Sequence, residues 1–502
     1  MNNIVKNTIH YVTSVFSSGK THSSIKHSID LLSNNDVVAH GPVRVLIAMR
    51  SQQCIEEWFP RAEKLAGNIF VHRIHGGLEN IKPGQVKQRL MEFLKSPDPD
   101  GEILFVTQQA LLDLRYFHQK EDWHIIVDEI PAVDSFFSKN LPENHALLTD
   151  HIELKRTLQE TSIVVASNEA VLKRYAENKD HDEISESLRT IAQQIVHVDR
   201  EVYVLNENYQ RTIKGDTEGG KCPLYFLSLL QPSIFEGFKS VTIAGACFKD
   251  SLLFQLWERF GVQFRVHEEI TKGLRSKSHE NGKRLELHYL IEGNWSKLFA
   301  GMTSSNEENV ELALKAVEKI FADEKFLYLV NKDREKDARR LFSGTNGTRL
   351  PYSPHGLNGY DDFNNVVVIA SFLYHPIHQR LIESFGLDQN DIRRAINYQT
   401  IYQAVMRCSL RDQDASQIVK VLVPDLHTAE FLKELLPGCS IHKVSNSGIE
   451  ERKKVGRKRK HLSAADKARA YRQRKEQLNL DCMRWSHIVG QFSGLSKVYS
   501  VV

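Results

Sequence analysis

Residues 14–24 read SVFSSGKTHSS. They follow the β-branched run HYVTSV (10–15) and precede HSSIKHSIDLL (22–32), whose spacing predicts a helix. Strand, glycine-bearing turn and helix is the layout of a phosphate-binding loop. Backbone amides at the helix start face the anion, a lysine neutralises phosphate charge, and a Ser or Thr hydroxyl reaches Mg²⁺. Gly19, Lys20 and Thr21 stand where such a loop needs them, but Ser14 occupies the place usually held by its first glycine. Alone, the stretch fits a phosphate cradle or a serine-rich surface turn.

Further along, WHIIVDEIP (123–131) is an apolar strand running into Asp128-Glu129. A buried strand ending in two acids suits a Mg²⁺-holding Asp and a water-orienting Glu. An acidic turn leaving a strand for solvent is the commoner fate of such a pair. Both motifs close predicted parallel strands, where open α/β sheets place their ligands.

The whole chain has 502 residues, 41% hydrophobic and 26% charged, ordinary for a globular protein of two or three domains. No apolar run is long enough to span a membrane, and the N-terminal residues lack signal-peptide layout. Six cysteines are scattered without a Cys-x-x-Cys pair, so neither a zinc site nor a disulfide framework is expected. His72, His75, His118 and His124 lack ligand spacing on one element. A reducing cytoplasm fits, or a nucleus in a eukaryotic host.

Short apolar runs alternate with amphipathic stretches: HYVTSVF, RVLIAM, IFVHRIH, EILFVT, HIIVD and TSIVVAS are predicted strands. The fold class is α/β, a parallel sheet covered by helices. KSVTIAGACFKDSLLFQLWERFG adds a late strand and helix to this first domain, residues 1–267. The polar segment 268–284 serves as a linker. A second α/β domain, 285–448, carries LELHYLI, KFLYLVN, NVVVIAS and QIVKVLVPD as strands. Residues 449–502 form a basic tail. Between Arg452 and Lys475 stand twelve Lys or Arg against Asp466 alone, while the whole chain is only +3. Such a tail on an acidic body suggests a polyanionic partner, nucleic acid above all.

GKT, TQQ (107–109), DE, ASN (166–168), HGLN (355–358) and Gln403-x-x-x-Arg407 occur in this order. The series resembles the superfamily 2 helicases, the DEAD/DEAH-box-like group. HGLN and QAVMRCSLRD are similar in wording to helicase-like proteins of phages and plasmids. The resemblance implies a P-loop NTPase of two RecA-like domains with ATP in the cleft between them. It gives Ser18, Gly19, Lys20, Thr21 and His22 to ATP, and Thr21 and Asp128 to Mg²⁺. It makes Asp128, Glu129, Gln403, Arg407 and Arg411 catalytic, the arginines lying four apart on one predicted helix face. It places Thr107, Gln108 and Asn358 on nucleic acid, and assigns Ser167, Asn168 and Gly356 to coupling.

Departures from the family pattern are specific. The acidic motif is Asp-Glu-Ile-Pro, Met406 precedes the first arginine, and the second follows four residues later. Almost no chain precedes Ser14 to hold an adenine-reading segment, which argues against a typical DEAD-box RNA helicase. The expectation is an ATP-driven helicase or translocase on DNA, in replication, repair or mobile-element maintenance. The alternatives are a non-catalytic DNA-binding factor on a helicase scaffold, or an RNA helicase. In the tail, Arg457, Lys458, Arg459, Lys460, Arg469 and Arg472 are expected to track phosphates. No membrane is expected as a partner.

Overall fold

The structure, a computed structural model, describes residues 8–451 apart from 80, 83, 115, 142, 157–159, 217–220, 305, 322 and 352–358. Gly356, Asn358 and the tail, with Arg457, Lys458, Arg459, Lys460, Arg469 and Arg472, lie outside the described residues.

The first domain is built on seven parallel strands: β1 (Thr8–Ser14), β2 (Arg44–Met49), β3 (Phe70–Ile74), β4 (Glu102–Thr107), β5 (Trp123–Asp128), β11 (Ser240–Ala246) and β12 (Gln263–Val266). Their order is β12-β1-β11-β5-β2-β4-β3. Every residue of β2 is buried, as a central strand covered on both faces requires. The phosphate-loop strand β1 does not touch the acidic strand β5, because β11 pairs with both. That interposed strand marks the RecA-like arrangement. Among the described residues, no helix is long and apolar enough to cross a membrane.

Between β5 and β11 the chain leaves the parallel sheet for an antiparallel one: β6 (Asp134–Asn140), β7 (Ile152–Arg156), β8 (Thr161–Ala166), β9 (Arg200–Leu205) and β10 (Pro223–Leu230). The order is β6-β10-β9-β8-β7. TSIVVAS, expected in the parallel sheet, is therefore β8 of this insertion. Its β-branched run satisfies either environment, and only long-range pairing decides between them.

The second domain holds β13 (Leu285–Ile291), a small hairpin of β14 (Thr303–Ser304) and β15 (Glu307–Glu308), then β16 (Phe326–Val330), β17 (Gly347–Arg349), β18 (Asn365–Ile369), β19 (Val419–Asp425) and β20 (Ser440–Lys443). Apart from the hairpin these strands form one parallel sheet, ordered β17-β16-β18-β19-β13-β20. The segment 268–284 is not merely a spacer. It begins as the helix Glu268–Lys272 and ends with Arg284 donating to the carbonyls of Gln417 and Asp412 at 2.8 and 2.7 Å.

A second attachment joins the domains. The helix Pro376–Glu383, which follows β18, packs Leu381 and Ile382 into one apolar cluster with Tyr203 and Leu227 of the insertion. Tyr374 Oη donates to Asp134 at 2.7 Å, and His378 Nε2 lies 3.0 Å from the same carboxylate. The His378 ring stacks on Phe136, centroids 4.6 Å apart.

One buried acid makes the fold pH-sensitive. Glu102 opens β4 at 1% exposure, and burial pushes its carboxyl up to about 7 despite a backbone amide donated by Asp98. The folded value lies above the unfolded one, so stability falls as pH rises from about 4.5 through 7. Glu102→Gln keeps an acceptor for Asp98 and removes the ionisation. Its melting temperature is expected to exceed wild type at about pH 8, a gain on the order of 1–3 kcal/mol, and to match it near pH 4.5. Equal melting curves at both pH values would refute the assignment.

Candidate nucleotide site

The loop after β1 answers the question that Ser14 raises. Ser14 closes β1, is buried, and its hydroxyl lies 2.7 Å from that of Ser18. Its φ is not positive; the left-handed positions fall on Ser17 (φ 60°) and Gly19 (φ 83°). A serine is therefore free of strain at 14, and its hydroxyl ties the two ends of the turn together. Helix α1 (Lys20–Ser33) starts at Gly19 with no side-chain cap, so its first-turn amides are not claimed by a side-chain oxygen. His22 lies in that first turn.

Lys20 Nζ donates to Val15 O at 3.2 Å. Burial lowers its pKa, while Glu129 and Asp128 raise it. Thr21 Oγ1 donates to Asp128 Oδ2 at 2.8 Å, joining the loop to the end of β5. Burial pushes the Asp128 carboxyl up to about 6, and the Thr21 bond opposes the shift. Mg²⁺ in phosphoryl-transfer sites keeps several waters and takes one or two carboxylates. A hydroxyl and a carboxylate touching beside a lysine and a helix N-terminus fit that ion with a polyphosphate. Among the described residues, no group of three or more His, Cys, Asp or Glu could hold a metal ion by itself.

Glu129 has φ 78°, a left-handed conformation that costs a non-glycine residue about 1–3 kcal/mol. In a regular strand, consecutive side chains point to opposite faces. The turn at Glu129 breaks that alternation just after Asp128. Arg50, which follows β2, reaches the Glu129 carboxylate at 3.7 Å.

The second domain supplies the opposite wall. The helix Gln399–Val405 carries Tyr402 and Gln403. Tyr402 Oη accepts from the Phe16 amide at 3.3 Å and lies 2.5 Å from His279 Nε2. Gln403 lines the cleft with Glu129 and Arg50, and its Oε1 is buried with no hydrogen-bond partner among the described residues. The helix ends at Val405 with Met406 as its cap, and a separate turn, Ser409–Arg411, follows. Arg407 and Arg411 therefore do not share one helix face, as their spacing suggested. They still converge on the first domain. Arg407 is buried, which lowers its pKa, with Glu129 the strongest opposing charge. Arg411 Nε donates to Ser17 Oγ in the phosphate loop at 2.9 Å.

Other expected residues lie elsewhere. Ser167 and Asn168 follow β8 in the insertion, where Asn168 caps the helix Glu169–Glu177. Read as coupling residues from their wording, they sit outside the parallel sheet that carries the nucleotide motifs. The strand between the loop and the acids is β11, which ends in Gly245-Ala246 and is followed by Cys247. A Cβ on Gly245 would come within 2.3 Å of the Ile130 side chain, so glycine leaves the room that side chain fills. Cys247 O accepts from Gln399 of the second domain at 3.3 Å, and Asp250 pairs with Arg394 at 3.3 Å. The run SVTIAGA was legible as a strand; its place in the sheet was not. Thr107 caps the helix Gln108–Leu112, and Gln108 is buried facing the acids, not the surface where nucleic acid was expected.

No family model matches the chain, and no curated protein matches its sequence. Among solved structures it is similar to the XPD helicase, at 12% identity over 87% of this chain and 96% of that one, TM-score 0.46. It is also similar to S. cerevisiae Dbp5 bound to RNA and ADP BeF3, at 9% identity over 88% and 86% of the two chains, TM-score 0.33. A third is the DUF1998 helicase MrfA bound to DNA, at 11% identity over 87% of this chain and 48% of that one, TM-score 0.26. None of these superpositions is close, and the strand order carries the fold. With β11 between the phosphate-loop strand and the acidic strand, and a second parallel sheet across the cleft, the chain has two RecA-like α/β domains.

Proposed function

We propose that this protein is a nucleic-acid-dependent ATPase that translocates along or unwinds nucleic acid, with DNA the favoured track. One observation carries the reading. The phosphate loop and acidic pair of the first domain meet Gln403, Arg407 and Arg411 of the second across one cleft. ATP phosphates would lie against the first-turn amides of α1, flanked by Ser18, Gly19 and His22, with Lys20 neutralising the terminal groups. Thr21 and Asp128 would hold Mg²⁺, which supplies charge neutralisation on the phosphates. Glu129, steadied by Arg50, orients the attacking water, and Gln403 offers its unpartnered carbonyl oxygen to the same space. Arg407 stabilises charge on the transferred phosphoryl group only when the cleft is closed. Gly245-Ala246-Cys247, against Gln399 and Arg394, carries closure to the loop. Asn358 and Gly356 remain proposed contacts with nucleic acid and with coupling.

The test is phosphate release with single-stranded DNA, duplex DNA, RNA or no nucleic acid, wild type against Lys20→Ala. Stimulation by single-stranded DNA above RNA is expected. Greater stimulation by RNA would reverse the choice of track, and equal negligible release from both proteins would end the enzyme reading.

The tail is proposed to add sequence-independent affinity through Arg457, Lys458, Arg459, Lys460, Arg469 and Arg472. Deleting 452–502 should weaken binding to single-stranded DNA and flatten its salt dependence, each lost phosphate contact removing about 0.7 from the log–log slope. An unchanged slope would remove the tail from the binding surface.

A further inference from the structure

Gln108 is a buried polar side chain beside the acids that the nucleotide chemistry above leaves unused. It is 9% exposed at the start of a five-residue helix after β4. Strand β2 lies between β4 and β5, so the side chain must cross the end of β2 to reach the acids. Its amide nitrogen donates to two consecutive carbonyls, Asp128 O at 2.9 Å and Glu129 O at 2.8 Å. In an extended strand, consecutive carbonyls point in opposite directions. One NH₂ group can serve both only because the chain turns at Glu129, where φ is 78°. The two amide hydrogens match the two carbonyls of that corner.

We propose that Gln108 is a positioning residue of the hydrolytic site, its carboxamide holding the Asp128–Glu129 corner in its left-handed turn. The role rests on the ATPase reading above. Held so, Asp128 faces Thr21 while Glu129 turns toward Arg50 and the second domain. Released, the corner relaxes toward the strand, and Glu129 leaves the place from which it orients water. The effect falls on turnover, because the two hydrogen bonds of the Gln108 amide go to the backbone of the acidic corner and not to the phosphate loop.

The test uses full-length wild type, Gln108→Met and Gln108→Glu. Methionine keeps the length and donates nothing. Glutamate is isosteric, donates nothing when ionised, and donates one O–H when protonated. Two readouts are taken: kcat and KM for nucleic-acid-stimulated ATP hydrolysis from about pH 6 to about pH 8.5, and amide hydrogen exchange over residues 125–133. Gln108→Met should lose about 30-fold or more in kcat, with KM within about threefold. Gln108→Glu should lose a similar factor at the alkaline end and regain part of it, relative to wild type, at the acid end. Exchange after Asp128 should accelerate in Gln108→Met. A kcat unchanged in Gln108→Met, or parallel pH profiles for the two variants, would overturn the role. If wild type hydrolysed no more ATP than Lys20→Ala, the ATPase reading would fall and the exchange arm would decide alone. Faster exchange would support the corner clamp, and unchanged exchange would sink it. Gln108→Glu, polar and isosteric, keeps the test open should Gln108→Met fail to fold.

Discussion

Lys20→Ala is expected to lower nucleic-acid-stimulated ATP hydrolysis by about 10³-fold or more, while melting within a few degrees of wild type. The size follows from position. Lys20 is the cation that the phosphate loop itself contributes, and it stands in the field of Asp128 and Glu129. Removing one preorganised charge from a water-poor site costs about 10²–10³ in rate. Here the loss also leaves two carboxylates, already in mutual repulsion, facing polyphosphate without the loop's own cation. Structure should survive, because the lysine's hydrogen bond goes to one carbonyl of its own loop. Steady-state phosphate release paired with thermal melts reads both halves. A folded Lys20→Ala that turns over at the wild-type rate would show that the loop does not hold the reacting phosphates.

Arg407→Ala is expected to cost about 10³-fold in kcat, and Arg411→Ala about tenfold, mostly in KM. An arginine finger is worth this much because it meets charge that develops only in the transition state. Arg407 fits that role: it is buried, comes from the second domain, and has Glu129 as its strongest favourable charge. Arg411 instead reaches Ser17 on the outer side of the loop, which suits binding of the phosphate chain over its cleavage. Arg407→Lys should not rescue, since an ammonium lacks the planar fork. Reversed magnitudes for the two alanine variants would exchange the roles.

Sequence and structure agree where local pattern determines the outcome. RVLIAM, EILFVT and WHIIVD are β-branched or apolar throughout, so they read as buried parallel strands, and they are. Lys20, Thr21, Asp128 and Glu129 could be proposed from the sequence because a loop and a strand end hold them in adjacent residues, and the structure brings the two pairs together. The errors are of another kind. TSIVVAS ends in a wording like that of the coupling motif, yet membership of a sheet is set by partners far away in sequence. The strand that lies between loop and acids comes some 70 residues later, after the insertion. Arg407 and Arg411 were placed on one helix because nothing in VMRCSLR announces the break after Val405. Gln108 was read as a nucleic-acid contact because its neighbours carry no hint that a carboxamide would cross a strand to reach two carbonyls. Arg50, Tyr402 and His279 escaped notice for the same reason: each acts across a distance that spacing does not encode.

The contact of the Pro376–Glu383 helix with the insertion has a mechanical consequence. The second domain is fastened to the first by its covalent connection and, separately, by the apolar seam around Leu381 and Ile382 with Asp134 between Tyr374 and His378. The seam lies apart from the cleft contacts of Tyr402, Arg411, Gln399 and Arg394, so the domains are held together at more than one place. Asp134 stands only five residues beyond Glu129, so the seam is anchored on the same short stretch of chain that carries the acids. On the ATPase reading proposed above, a shift of the seam would reach the acidic corner through five residues of backbone.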